Sequence, residues 1–497
     1  MSEELELPSL ARGTNYRILG AELPENCEHQ RPLLGMDLLL ATTRVRKAYY
    51  WQTISICCRK LEVLVPDDQT ASPEHSGRHF QPDCCIVGGG PAGTVLALLL
   101  VRQGVRVTLL EAHEDFDRKF RGDTIHPSVL EIFDQIGLSE ALLQLPHSKI
   151  YGPTLRAANT SFNPFDLRRL KTKFPFIMLV PQSKFLHFLS REAGKYEEFD
   201  LRFSSKVESL IEESGTICGV RYMGRDGEHE VRAPLVIGAD GRFSTVRERA
   251  RLVPTKTSPA MDILWFELPH LPEDAASDRV LGGFGMGRVL AVFDRFDHWQ
   301  VGYVFPKGTY QQVRSEGLES LRNSIAVIEP RFTKHVASLT DWHQLSLLSV
   351  ESSFCPKWYL PGLLLIGDAA HVMSPIGGVG INYAIQDAVA AANLLGEHLK
   401  TGNTSLKDLA SVQQRRQFPT KLIQWFQAAL QKRVLTAALG SSTPTTIPLF
   451  VRLLFAIPVV RDLPARFLAF GFRREHVRNV GQAPKVVATA ASSASSH

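Results

Sequence analysis

Several familiar signatures are missing from this sequence. The seven cysteines (Cys27, Cys57, Cys58, Cys84, Cys85, Cys218 and Cys355) include two adjacent pairs but no CxxC. That spacing supports neither a disulfide framework nor a zinc site, and it suits a reducing compartment. No stretch reaches the roughly 18 uninterrupted apolar residues of a spanning helix. The nearest run, Thr446–Val460 (TIPLFVRLLFAIPVV), contains Arg452 and two prolines. It reads as a core or dimer-forming segment, with contact at a membrane interface as the alternative. Basic residues exceed acidic ones by only 56 − 51 = 5, without a long basic block, so no nucleic-acid partner is expected. The start, MSEELELPSLARG, is acidic and lacks an apolar run. Neither a secretory signal nor a transit peptide is expected there, which points to a cytoplasmic protein. No Ser/His/Asp arrangement or catalytic carboxylate pair stands out. The 16 histidines show no ligand spacing with Cys or carboxylates, so no metal is expected.

What is present is a repeated pattern of apolar strands that end in glycine and acid. At 497 residues the chain is too long for one core. Residues 1–80 read as an N-terminal extension of uncertain order that ends in a polar linker, DDQTASPEHSGRHFQ. At Asp83 the texture changes. CCIVGGG reads as a strand into glycine, PAGTVLALLLVRQG as a helix stopping at Gly104, and VRVTLLE as a second strand. This order opens a parallel α/β sheet. APLVIGADG and GLLLIGDAA predict two more strands of the same kind. Between about Met261 and Pro306 the segments MDILWFELP, RVLAVFDRF and HWQVGYVFP alternate and are rich in aromatics, the texture of an antiparallel sheet with one buried face. After Gly380 the pattern predicts helix to about Val480, followed by a low-complexity tail, VVATAASSASSH.

Three motifs carry chemistry. In Gly88-Gly-Gly90-Pro-Ala-Gly93, Gly88 permits the turn, Gly90 admits a pyrophosphate, and Gly93 lets the helix pack closely on the strand. The phosphates would sit at the helix N-terminus, where unpaired N–H groups favour negative charge. Glu111 ends the next strand, 18 residues past Gly93, where a carboxylate can accept from ribose hydroxyls. Asp240-Gly241 follows a later strand, with Ser244 and Arg247 at the start of a helix. Gly367-Asp368 follows another, and then comes a loop with Pro375, Gly377, Gly378 and Gly380 before a helix containing Asn382. NAD and FAD both suit the first motif. A plain NAD domain has no need of two further acid-bearing strand tips, whereas a cofactor with a ribityl chain and a flavin ring does.

From about Pro82 to Val480, these three ordered motifs resemble the single-component FAD-dependent aromatic hydroxylases, the p-hydroxybenzoate hydroxylase-like flavoprotein monooxygenases. The resemblance implies a Rossmann-like α/β FAD-binding domain with a parallel sheet (81–260, with a substrate-domain excursion near 153–178). It implies an interleaved antiparallel substrate sheet (261–358), completion of the FAD domain (359–400), a C-terminal helical region (401–483) and a tail (484–497). It implies that Gly88, Gly90, Gly93 and Glu111 hold the ADP half. Asp240 and Gly241 would belong to a fingerprint tied to FAD and NAD(P)H, and Gly367 and Asp368 would meet the ribityl or ribose hydroxyls. Arg121, in FRGDTIHP, stands where the family has a flavin-contacting arginine, and Gln182 where it supplies a polar side chain. The backbone of Pro375–Asn382 would cradle the ring.

The reaction so implied is hydroxylation of an aromatic or polycyclic small molecule, with NAD(P)H and O2, through a flavin C4a-hydroperoxide. Much of that chemistry belongs to the cofactor, which accounts for the missing catalytic constellation. His371, directly after GDAA, reads as a packing or hydrogen-bonding residue. Trp265, Phe266, Tyr303 and Phe305 are the candidates for an aromatic pocket wall. A halogenase or a prenyl-chain reductase would share the fold. The tryptophan-rich signature of the former is absent, and YVFP only faintly echoes that of the latter. A non-catalytic binding protein would be expected to lose the loop glycines, which are all present. A homodimer is possible on this reading.

Overall fold

The strands Cys84–Val87, Leu235–Gly238, Leu363–Leu365 and Val107–Leu110 are buried at every position, so they carry no polar alternation. Parallel strands covered on both faces have this pattern. They are seen in a computed structural model that describes residues 80–483 apart from 118–122, 158–159, 164, 258, 273, 275–279, 296 and 433–457. The chain divides into two units, Met1–Arg78 and His79–His497, and the description concerns the second. Residues 1–79 of the expected 1–80 extension, Arg121, most of the 446–460 run, and the 484–497 tail lie outside the described residues.

The four strands are consecutive neighbours in a six-stranded sheet, flanked by Phe199–Arg202 on one edge and an antiparallel Tyr359–Leu360 on the other. The helix Pro91–Arg102 is almost wholly buried and packs between the helices Gly380–Lys400 and Gln182–Ala193. A three-stranded antiparallel sheet, Lys206–Arg232, contributes Val207, Ile217, Val220, Tyr222 and Val231 to the same core.

The second large sheet has seven strands, in the order Ser346–Ser349, Met261–Pro269, His298–Pro306, Arg288–Asp294, Val280–Gly285, Thr154–Ala157 and Thr160–Phe162. All its pairings are antiparallel except that of Thr154–Ala157 with Val280–Gly285. The helix Leu318–Ile328 was not among the expected elements. Its Leu321, Ile325 and Ile328 recur at helical spacing and cover one face of this sheet, joined by Phe332, Val336 and Leu339.

The C-terminal expectation needs correction. Helices Gly380–Lys400 and Leu406–Leu430 are followed, after 433–457, by Pro458–Phe470, and from Gly471 to Ala483, the last described residue, no further helix forms. Gly471 takes a positive φ of 67° and ends the last helix, as glycine does where the chain must turn left-handed.

Candidate active site

Register brings the acid-bearing tips together. Val87 pairs with Leu110 on one side and Gly238 on the other, and Gly238 pairs with Leu365. The residues that follow these strands, Gly88, Glu111, Asp240 and Asp368, therefore leave one edge of the sheet side by side. That carboxyl edge is where ligands bind in open parallel sheets.

The glycine turn is tightly built except where a ligand would enter. A Cβ on Gly93 would lie 2.0 Å from the Gly88 carbonyl oxygen, so only glycine lets the helix approach the strand. Among the described residues, a Cβ on Gly90 would meet no atom within 4 Å, so the backbone there faces open space. Gly90 is also the N-cap of Pro91–Arg102, with no side chain capping the helix. Its first N–H groups thus point into that space without an intrahelical partner. Glu111 stands beside them: Oε2 accepts from the Gly89 N–H at 2.9 Å and Oε1 from the His113 N–H at 3.0 Å. These features fit a pyrophosphate with its ribose.

The second tip is organised by Asp240, whose Oδ2 accepts from the Val246 N–H at 3.0 Å. Burial pushes this carboxyl up, against the opposing bonds from Ser244 and Val246. Gly241 turns with a φ of 80°. Ser244 caps the short helix by accepting from the Arg247 N–H at 2.9 Å. Arg247 then reaches the third tip, donating to the Ala369 carbonyl at 2.9 Å and to the Arg242 carbonyl at 2.8 Å. One side chain thus ties the two loops together.

At the third tip, Gly367–Ala369 forms a single 3-10 turn with Asp368 half-buried at its centre. Behind it lies Asp387, fully buried, accepting from the Gly367 N–H at 3.1 Å and from His371 Nε2 at 2.6 Å. His371 is itself buried and packs on Trp358, with ring centroids 5.1 Å apart, so it is a hydrogen-bonding core residue as its position suggested.

The loop from Pro375 to Gly380 turns through positive φ at Gly377 (79°) and Gly378 (61°). Thr124 Oγ1 donates to the Gly378 carbonyl at 2.8 Å. The Asn382 side chain is taken up by the protein itself. Its Oδ1 accepts from the His126 N–H, and its Nδ2 donates to the Thr124 and Gly378 carbonyls, so the amide holds protein backbone. Among the described residues, the backbone N–H groups of Gly380, Ile381 and Asn382 start a helix that no side chain caps, and a Cβ on Gly380 would meet nothing within 4 Å. These N–H groups suit the electronegative edge of a flavin ring. Gln182, first residue of its helix, is half-buried.

Alternation divides the second large sheet into two faces. Met261, Ile263 and Val304 cluster with Trp265 and with Ile376 of the glycine loop. Phe266, Tyr303 and Phe305 point the other way, into the cluster under helix Leu318–Ile328. Three of the four expected wall aromatics therefore belong to the opposite face, because side chains along a strand alternate. Tyr303 bonds Ser324 at 2.9 Å beside a hollow of about 420 Å³ lined by Arg288, Leu321 and Val327, on that far face.

The loop-facing side gains residues that the sequence did not single out. Phe293 lies 6.2 Å from Trp265, and Leu468 of the last described helix would lie 3.2 Å from a Cβ on Gly377. Both join a cluster with Ile177, Leu179 and Ala469. Alternation could have found Phe293, whereas nothing local points to Leu468. Among the described residues, no group of His, Cys, Asp or Glu could hold a metal ion, and no helix is long and apolar enough to cross a membrane.

Residues 81–426 match the family of FAD binding domains. A 6-methylpretetramide 4-monooxygenase from Streptomyces rimosus is 34% identical over 82% of this chain and 96% of its own length. A rifampicin monooxygenase from Streptomyces venezuelae is 28% identical over 62% of each chain. Among solved structures, PqsL of P. aeruginosa in complex with 2-aminobenzoylacetate aligns with a TM-score of 0.63 at 22% identity, over 71% of this chain and 96% of PqsL, a likeness of fold.

Proposed function

We propose, for a chain that belongs to the family of single-component FAD-dependent aromatic hydroxylases, that it inserts one oxygen atom into a polycyclic, oxygen-bearing aromatic substrate at the expense of NAD(P)H. The chain is an FAD-dependent monooxygenase. The polycyclic class rests on the relative that acts on 6-methylpretetramide, together with an apolar wall suited to a broad planar molecule. NAD(P)H as reductant is the reading of the Asp240-Gly241 tip, and a cytoplasmic site of action agrees with supply of that reductant.

FAD, when bound, supplies the redox chemistry that activates O2. The chain supplies binding, orientation and a dry site. In this reading the N–H groups after Gly90 hold the pyrophosphate, Glu111 the adenosine ribose, and Asp368 the ribityl hydroxyls. The N–H groups of Gly380–Asn382 donate to the ring edge that gains negative charge. Ile263, Trp265, Phe293, Val304 and Leu468 keep water from the substrate side, which prevents loss of activated oxygen to solvent.

The single observation behind this reading is the adjacency of Gly88, Glu111, Asp240 and Asp368 at one sheet edge. The test is NADH and NADPH oxidation against phenols, quinone precursors and polycyclic aromatics, with products weighed by mass spectrometry. A polycyclic product heavier by one oxygen is expected. Protein that retains FAD yet oxidises NAD(P)H no faster with any aromatic, and yields no oxygenated product, would overturn the substrate reading.

A further inference from the structure

Behind the Gly367–Asp368 tip lies a buried charge network. Asp387 and Arg416 are both fully buried, and Arg416 Nε donates to Asp387 Oδ1 at 2.9 Å. The other carboxylate oxygen accepts from His371 and from the Gly367 N–H. Burial alone would raise this carboxyl, but His371 and Arg416 hold it below the usual range. It is therefore an ionised acceptor. A buried ion pair contributes little net stability compared with an apolar replacement, so its value lies in what it holds in place. Here that is the peptide of Gly367, in a left-handed conformation (φ 60°), next to the half-buried Asp368.

The network continues into the C-terminal strap. Arg416 Nη1 donates to the Arg473 carbonyl at 3.2 Å and lies 3.4 Å from Glu475, which Arg415 also holds at 2.7 Å. The strap is fastened across the body. Asn393 bonds the His476 carbonyl and the Arg478 N–H, and the Arg102 carbonyl accepts from the Gln482 N–H at 2.8 Å. The strap residues, from Arg473 to Gln482, lie beyond residue 426, where the family match ends.

We propose that Asp387 is a positioning residue for cofactor retention. Its carboxylate sets the Gly367–Asp368 backbone so that Asp368 meets the cofactor hydroxyls, and Glu475 of the strap fixes Arg416 and thereby Asp387. The inference rests on the reading of Asp368 as an FAD contact. A folded strap is then part of the FAD site although it need not touch the cofactor.

The experiment uses the full chain, stripped of flavin and titrated with FAD. Circular dichroism and apo-protein melting report folding, while flavin fluorescence gives the dissociation constant. Asp387→Asn removes the charge and offers an N–H where Gly367 and Arg416 need an acceptor. Loss of one charge-assisted hydrogen bond predicts FAD binding weakened about tenfold or more, with a smaller FAD-induced rise in Tm. Glu475→Gln, which leaves Asp387 in place, should weaken FAD in the same direction by a smaller factor. A role in folding alone would lower the apo Tm and leave both FAD readouts unchanged. Folded Asp387→Asn with wild-type FAD affinity overturns the proposal. If Asp387→Asn does not fold, a folded Glu475→Gln with wild-type FAD affinity and Tm shift overturns it instead. Failure of the wild-type protein to bind FAD would refute the cofactor reading itself, a separate result.

Discussion

Trp265 lies across Gly302 on the neighbouring strand: a Cβ on Gly302 would stand 2.9 Å from the indole ring. The glycine gives the ring its place on the loop-facing side of the sheet, where Ile263, Val304 and Ile376 gather. Gly302→Val should push the indole out of that place. Crowding of this kind costs about 1–3 kcal/mol. If about 1 kcal/mol of it falls on substrate binding, KM for a polycyclic aromatic rises about fivefold. Steady-state kinetics on the FAD-loaded variant check this, and an unchanged KM would mean that Trp265 does not meet substrate.

The opposite face should behave differently. Phe266 is fully buried against the helix-covered cluster. Phe266→Ala is expected to cost about 3–5 kcal/mol of stability and to leave the KM of the folded enzyme near wild type. Trp265→Ala should do the reverse, with a small change in Tm and a large one in KM. Denaturant melts beside kinetics on the two variants separate the faces.

That difference also marks what the sequence could reveal. The parallel strands, their glycine turns and Glu111, Asp240 and Asp368 were legible because local rules dictate them. An apolar run ends, glycine permits a turn or a close approach, and the acid follows. The aromatics of the second sheet were legible as alternating, but alternation assigns residues to two faces without saying which face meets the ligand. That was decided by Leu321, Ile325 and Ile328, which come later in the chain and cover one side. Asp387 was hidden for another reason. It stands in a helical stretch among alanines, and its partners His371 and Arg416 lie 16 and 29 residues away, while Glu475, which Arg416 also reaches, lies a further 59 residues on. Asn382 was placed beside the ring loop, yet which bonds its amide makes depends on Thr124 and His126, more than 250 residues earlier.

The glycine turn yields a paired outcome. Gly90 has an ordinary φ of −73°, and its Cβ position is open, so Gly90→Val should fold with little loss of apo stability. Because the added side chain fills the space read as the phosphate site, FAD binding should fall steeply. Gly93→Ala places a methyl against the Gly88 carbonyl and separates helix from strand. It should lower the apo Tm by an amount matching about 1–3 kcal/mol or more. Melting curves with and without FAD distinguish them. Equal FAD affinity in Gly90→Val and wild type would place the pyrophosphate elsewhere.

His126 should make the glycine-loop region sensitive to acid. Its ring is buried, with Nδ1 2.8 Å from the Leu468 carbonyl and Nε2 without a hydrogen-bond partner among the described residues. Burial pushes its pKa from 6.5 down to about 4, although the bond to Leu468 opposes the shift. A depressed pKa means that, below pH 6.5, the unfolded chain takes up a proton the folded chain refuses. The contribution is therefore complete above pH 6.5 and is lost as pH falls toward about 4. A shift of that size corresponds to about 3 kcal/mol at full titration, since one pKa unit is about 1.4 kcal/mol. Leu468 also neighbours Gly377, so a charged His126 would loosen the helix that backs the ring loop. In His126→Gln the amide can still donate to the Leu468 carbonyl but does not titrate. Denaturant unfolding of the apo protein at pH 7, 5.5 and 4.5 (values chosen to span the window,) should show the variant losing less stability than wild type. Parallel declines would mean that the imidazole titrates alike in both states and that the loop owes its acid response to other groups.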